Sequence, residues 1–204
     1  CIDDNSRALI MALMAYKEKG DLDALNLMPI YMSYIHDLQL DNGNFRNFTS
    51  FDRRFLDEEG SDDSFGRTLW SLGYLIYSSP NRSYTEFGLE LFFKAVPHFK
   101  NLKHLRGICN TITGVCYYLK TQPYDERMLK ELHLLTDKLV ESYQNTKGDG
   151  WHWFEDHLTY DNAIFPLALF HSAEITGNAE VMHIAHESLK YLEQLTFSKN
   201  TVNP

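Results

Sequence analysis

Cysteine is too scarce here for a disulfide framework: Cys1, Cys109 and Cys116 are the three in 204 residues, with no CxxC spacing. Cys109 and Cys116 lie at core-like helical spacing and read as buried free thiols. No stretch approaches the ~18 consecutive apolar residues that a bilayer-crossing helix requires. Basic residues are outnumbered, with 19 Lys and Arg against 28 Asp and Glu, for a formal charge of −9. That balance excludes nucleic acid, whose phosphates must be met by Lys and Arg. It also disfavours an anionic membrane surface, and a cytoplasmic protein is expected. There is no GxGxxG, P-loop, GxSxG elbow or HExxH. His152 and His157, five residues apart, suit no single helical face as metal ligands. No cofactor and no metal are expected.

What remains is helical periodicity, and no alternating strand pattern survives for more than a few residues. The expected helices are about Asp4–Lys19, Leu22–Gln39, Asp63–Ser78, Tyr84–Val96, Leu102–Lys120, Asp125–Tyr143, Tyr160–Ile175 and Ala179–Leu195. Pro29 should kink the second or delay its start, Pro97 closes the fourth, and Pro166 falls inside the seventh. The odd-numbered helices are apolar nearly all round and must be enclosed; the even ones are amphipathic and must face water. Four hairpins, repeating at roughly 50 residues, thus predict an inner and an outer ring rather than an open solenoid. Two long polar loops, Leu40–Ser61 and Gln144–Thr159, each precede an inner helix, which places them on one rim. The fold class is all-α, an α/α toroid built of helical hairpins. Four hairpins are part of a six-hairpin ring, so residues 1–204 are expected to form a single domain that is a fragment of a larger one. Cys1, followed at once by a helix, and the linker-like tail Phe197–Pro204 fit that expectation.

Three inner helices are expected to open on acid beside a small polar residue: Asp3-Asp4-Asn5, Asp62-Asp63-Ser64 and Asp161-Asn162. Capping and the helix dipole explain one acid per helix. They do not explain two consecutive aspartates twice, each pair followed a turn later by an arginine, Arg7 or Arg67. Helix starts on one rim can hold carboxyls at fixed separations, which is what cleaving a glycosidic bond needs: one protonated carboxyl and one ionised. Sugars also stack their C–H faces on aromatic rings. The loops supply such rings: Phe45 and Phe48 beside Arg46, Asn47, Asp52, Arg53 and Arg54 in the first, and the segment Trp151–Asn162 (WHWFEDHLTYDN) in the second. The Asp57-Glu58-Glu59 run reads as a solvated face, with Glu58 and Glu59 as minor candidates.

The segments DDNSRAL (3–9), NFRNF…FDRRFLDEEGSDDSFGRTLWSLG (44–73) and WFEDHLTYDNAIFPLAL (153–169) resemble a bacterial family of (α/α)6-toroid domains. Such domains are often fused to, or encoded beside, family 4 glycosyltransferases, and are related in fold to the six-hairpin glycosidases. The resemblance implies a carbohydrate role and further hairpins beyond the C-terminus. It rests on Asp3, Asp4, Asn5, Arg7, Arg46, Asn47, Asp52, Arg53, Arg54, Asp63, Ser64, Gly66, Arg67, Trp153, Phe154, Glu155, Tyr160, Asp161 and Asn162; Phe65 stands where a His is expected.

The leading expectation is a glycoside hydrolase or glycan-processing domain, of inverting type if a hydrolase. Asp4, Asp63, Glu155 and Asp161 form the catalytic pool. Asn5, Arg7, Arg46, Asp52, Arg53, Arg67, Tyr160 and Asn162 bind substrate, with Trp151 and Trp153 as the sugar platform. The alternative is a non-catalytic glycan-binding or accessory module of a glycosyltransferase. Expected partners are an oligosaccharide or glycan, and a glycosyltransferase domain or the missing part of the toroid. A helical scaffold for another protein is disfavoured by the polar outer faces.

Overall fold

Aspartate and asparagine cap all four outer helices. Asp21 starts α2 (Leu22–Leu38), Asn81 starts α4 (Arg82–Ala95), Asp125 starts α6 (Glu126–Thr146) and Asn178 starts α8 (Ala179–Thr196). In each, the side-chain oxygen accepts an otherwise orphaned first-turn N–H. The inner helices start differently. α1 (Ile2–Lys19) is capped by the Cys1 sulfur and α3 (Asp62–Ser78) by Ser61, while α5 (Leu105–Thr121) and α7 (Ile164–Thr176) have no side-chain cap. The paired aspartates of α1 and α3 therefore sit in the first turn without serving as caps.

These elements come from a computed structural model that describes residues 1–198 and 201–202. Each inner helix packs on the next, α1 on α3, α3 on α5 and α5 on α7, while α2, α4, α6 and α8 each cover the inner helix of their own hairpin. This is the all-α, toroid-like arrangement that the alternation of apolar and amphipathic helices predicts. No helix among the described residues is long and apolar enough to cross a membrane.

α3 and α5 form the closest pair, and glycine is the reason. Gly66 and Gly73 on α3 face Gly107 and Gly114 on α5, each set seven residues apart. A Cβ on Gly66 would lie 2.3 Å from the Gly107 carbonyl oxygen, and one on Gly73 would lie 2.1 Å from that of Gly114. The backbones touch directly, so both helices are buried on almost every side. Cys109 and Cys116 are buried in α5, and burial pushes both thiols upward in pKa, as expected of inert core cysteines.

Several features depart from expectation; α6, for one, runs on to Thr146, three residues past Tyr143. α2 runs through Pro29 without a delayed start, because the ring lies on its exposed face and the carbonyl it orphans can meet water. α7 begins at Ile164 rather than Tyr160, which puts Pro166 in the first turn, where no N–H is missed. α5 begins at Leu105 rather than Leu102, after a 3₁₀ turn over Val96–Asn101. In the C-terminal tail, Phe197 and Ser198 pair antiparallel with Val202 and Thr201. Lys199, Asn200, Asn203 and Pro204, read above as part of a linker, lie outside the described residues.

The outer layer carries a pH-sensitive joint between α6 and α8. The Tyr143 hydroxyl donates to Glu187 at 2.6 Å, and Lys147 lies 2.9 Å from the same oxygen. The Tyr143 hydrogen bond, followed by the Lys147 contacts, holds the Glu187 carboxyl below its ordinary 4.5. A lowered folded-state pKa supplies stability above the unfolded value, and that stability is lost as pH falls through the folded one. Glu187→Gln should therefore flatten the fall in melting temperature below pH 4.5, read by calorimetry. An unchanged acid limb would refute this origin.

Candidate functional site

The N-terminal ends of α1, α3 and α5 and both long loops meet on one rim, as expected. At its centre is Arg67, on the second turn of α3 and 13% exposed. Its Nη2 lies 2.8 Å from Asp161 Oδ2, its Nε 2.9 Å from Asp3 Oδ1 and 3.7 Å from Asp63 Oδ1. One guanidinium thus gathers carboxylates from α1, α3 and the loop before α7. The Asp3 contact has ion-pair distance but not hydrogen-bond alignment, so the buried Nε–H has no acceptor. Asp161 reaches Arg67 from a left-handed backbone (φ 49°), a conformation unusual for a non-glycine residue. Asp161 and Asn162 are therefore not a helix start; they belong to the loop.

Glu155 is held by a different arginine, which the sequence reading passed over. Arg106, 6% exposed on α5, makes a two-pronged ion pair with Glu155 at 2.9 and 3.0 Å. It also donates to the Tyr160 carbonyl at 2.7 Å and to the Thr159 hydroxyl. Its guanidinium centre lies 4.3 Å from the Tyr160 ring and 4.9 Å from that of Phe165. Arg106 therefore clamps the second loop to α5. The available signal was an arginine early in an otherwise apolar inner helix, the same mark that singled out Arg7 and Arg67.

Asp62 is also committed to the fold, accepting the backbone N–H groups of Lys103 (2.7 Å) and His104 (2.9 Å) at the start of α5. Asp63 is held more loosely. The Tyr160 hydroxyl lies 3.4 Å from its carboxylate and the Asn110 amide 3.5 Å. Asn110 is fully buried, also donates to the Arg106 carbonyl, and leaves its own Oδ1 without a partner. Burial and the nearby Asp63 carboxylate raise the Tyr160 phenol above its ordinary value, so it remains a hydrogen-bond donor at neutral pH.

Two clefts adjoin at Ser61 and Asp63. One, of about 460 Å³, runs past His104 and Arg106 to Glu155 and Tyr160; the other, of about 190 Å³, runs past Asp3 and Asn47 to Phe48. Tyr160 is 57% and Phe48 48% exposed, so an accessible aromatic stands at each end.

The remaining expected residues separate into three groups. Trp153 is fully buried against Phe154 and Phe165 and cannot serve as a sugar platform. Trp151 is half-buried and donates its indole N–H to the Glu155 carbonyl at 2.8 Å, so the Trp pair secures the loop instead. Asp4 and Arg7 pair with each other on the exposed side of α1, and Arg7 also holds Asp3; Asn5 donates to the Cys1 carbonyl. Cys1, Asp3 and Asp4 bring possible metal-ligating atoms within 4.8 Å, a cluster not foreseen, but Arg7 occupies both carboxylates. Asn162 stays within its loop beside Thr159.

Arg46 and Asp52 also serve the first loop: Arg46 donates to the Asp57 carbonyl and lies over Phe55, while Asp52 pairs with Arg54. Arg53, with φ 63°, lines a separate cleft against α2. The Asp57-Glu58-Glu59 run is not wholly solvated. The Asp57 carboxylate accepts the amides of Asn47 (2.6 Å) and Phe48 (3.1 Å), and Glu59 accepts the Asn44 side chain.

No protein-family model matches this sequence, and no curated protein matches it. Among solved structures, the fold matches a crystal structure described as a sugar epimerase from a ruminal bacterium, with a TM-score of 0.75 at 11% identity. The match covers 99% of this chain and 62% of that one, so this chain spans less than two thirds of its length. At that identity the likeness is one of fold.

Proposed function

We propose that this chain is a carbohydrate-active protein whose rim binds a saccharide across the start of α3. Asp63 accepts sugar hydroxyls, and Tyr160 and Phe48 offer faces for stacking. The observation that carries this reading is that Asp63 alone among the rim carboxylates lines both adjoining clefts. Sugar recognition needs fixed acceptors next to exposed aromatic faces, and the rim offers both. The fold likeness to a sugar epimerase supports the same class of ligand.

Binding is better supported than hydrolysis. Hydrolysis requires one carboxyl free to carry a proton and a second free to activate water or attack. Glu155 is taken by Arg106, while Asp161 and Asp3 are taken by Arg67. The glycan-binding module, with a glycosyltransferase domain or further toroid hairpins as its partner, is therefore the preferred reading. One observation keeps hydrolysis as the second. Asp3 and Asp63 oxygens lie 2.9 and 3.7 Å from the same Arg67 nitrogen, hence at most about 6.6 Å apart, a bound that spans the retaining separation and reaches the inverting one.

An oligosaccharide panel assayed for both binding and product release tests the choice. Asp63→Ala should weaken binding at least tenfold, about 1.4 kcal/mol, with no shortened product formed by either protein. Product formed by the wild type and abolished in Asp63→Ala would establish the hydrolase. A wild type that binds no member of the panel would refute the saccharide rim.

A further inference from the structure

A cleft of about 660 Å³ is a separate chemical environment that abuts the sugar groove. It shares Ser61, Asp62 and His104 with the groove and continues under the 3₁₀ turn that leads into α5. In a chain of net charge −9, its walls nevertheless collect Lys100, Lys103, Lys138, His98 and His104. We propose that this cleft holds the phosphate of a phosphorylated saccharide whose sugar lies in the Asp63–Tyr160 groove, an assignment that rests on the saccharide-binding reading above.

Several observations converge on an anion. The lysine ion pairs among the described residues are Lys120–Glu174 and Lys147–Glu187, so the three cleft lysines are unmatched by carboxylates. Two acids also stand on the wall, Glu59 bound by the Asn44 amide and Asp62 by the backbone of Lys103 and His104; both keep their charge, and the three lysines leave the wall net positive. Lys138 donates to the carbonyls of Lys100 and Leu102, both at 3.0 Å, which fixes a positive charge in the wall and leaves one ammonium proton for a ligand. His98 is braced on the Asn42 carbonyl at 2.9 Å.

The charge type is compatible with a phosphate. Lysine is an established kind of phosphate ligand, and three of them line this cleft. Ammonium groups act as point charges that suit the several oxygens of a phosphate.

Titration calorimetry with glucose 6-phosphate, glucose and inorganic phosphate tests this assignment. Glucose 6-phosphate should bind at least tenfold more tightly than either fragment. K100E/K103E, which reverses two exposed charges, should reduce that affinity to the level of glucose. Asp63→Ala should reduce it to the level of inorganic phosphate, and Lys190→Glu, outside the cleft, should leave it unchanged. Equal affinity for glucose 6-phosphate and either fragment would overturn the proposal, as would retention of wild-type affinity by a folded K100E/K103E protein. If oligosaccharides still bind through Asp63 while glucose 6-phosphate has no advantage, the phosphate cleft falls and the saccharide rim stands. If neither class binds, both fall.

Discussion

Gly73→Ala is expected to lower the stability of this protein by about 3 kcal/mol, although alanine is the better helix former. The added methyl would stand 2.1 Å from the Gly114 carbonyl oxygen, 2.6 Å from its carbonyl carbon and 2.7 Å from its Cα. These are backbone atoms of a buried helix, so no rotamer change relieves the clash. α3 and α5 would have to separate by roughly 1 Å, opening the central layer of the core along its whole length. Propensity returns only about 1 kcal/mol. For a domain of this size the net effect is a fall in melting temperature of roughly 6–12 °C. Gly148→Ala is the matched control, because its Cβ would meet nothing within 4 Å, and it should stay within about 0.5 kcal/mol of wild type. A Gly73→Ala protein that melts with the wild type would show that the two helices are not held at backbone contact.

Arg106→Met should be comparably damaging, at about 3 kcal/mol, and should also abolish saccharide binding. Its loss leaves Glu155, 24% exposed, without a counter-ion and releases the Thr159 hydroxyl and the Tyr160 carbonyl together. The second loop would lose its tie to α5, and with it the position of Tyr160 over the cleft. Limited proteolysis should then cut between Gly148 and Tyr160, where the wild type resists. Adding Glu155→Gln to Arg106→Met removes the uncompensated charge and should recover part of the stability but none of the binding. Full recovery of both would show that Arg106 neither anchors the loop nor places Tyr160.

The glycine contact and the arginine clamp show why local sequence was a partial guide to the site. Gly66, Gly73, Gly107 and Gly114 are visible as heptad-spaced glycines, yet only their facing each other across two helices makes them meaningful. Trp153 and Glu155 look like surface chemistry in a polar loop. Once the loop folds back on α5 and α7, the indole finds more apolar contact inside than at the rim, and the carboxylate finds a buried guanidinium. Aspartates in a helix's first turn have the same local appearance whether they cap, pair or wait for a ligand.

From the sequence alone came the all-α class, the four hairpins, the division into enclosed and solvent-facing helices, and the shared rim of the two long loops. The class and the division of the helices follow from the spacing of apolar residues along each helix, and the hairpins and shared rim from the order of helices and loops along the chain. Beyond the local pairs of Arg7 with Asp3 and Asp4, the partners of the rim carboxylates were decided by tertiary structure: Asp3 and Asp161 on Arg67, Glu155 on Arg106, Asp62 on the amides before α5, and Asp63 left between two clefts. Charge pairing between residues tens of positions apart depends on distances of a few ångströms. Those distances are set only when α1, α3, α5 and α7 have packed.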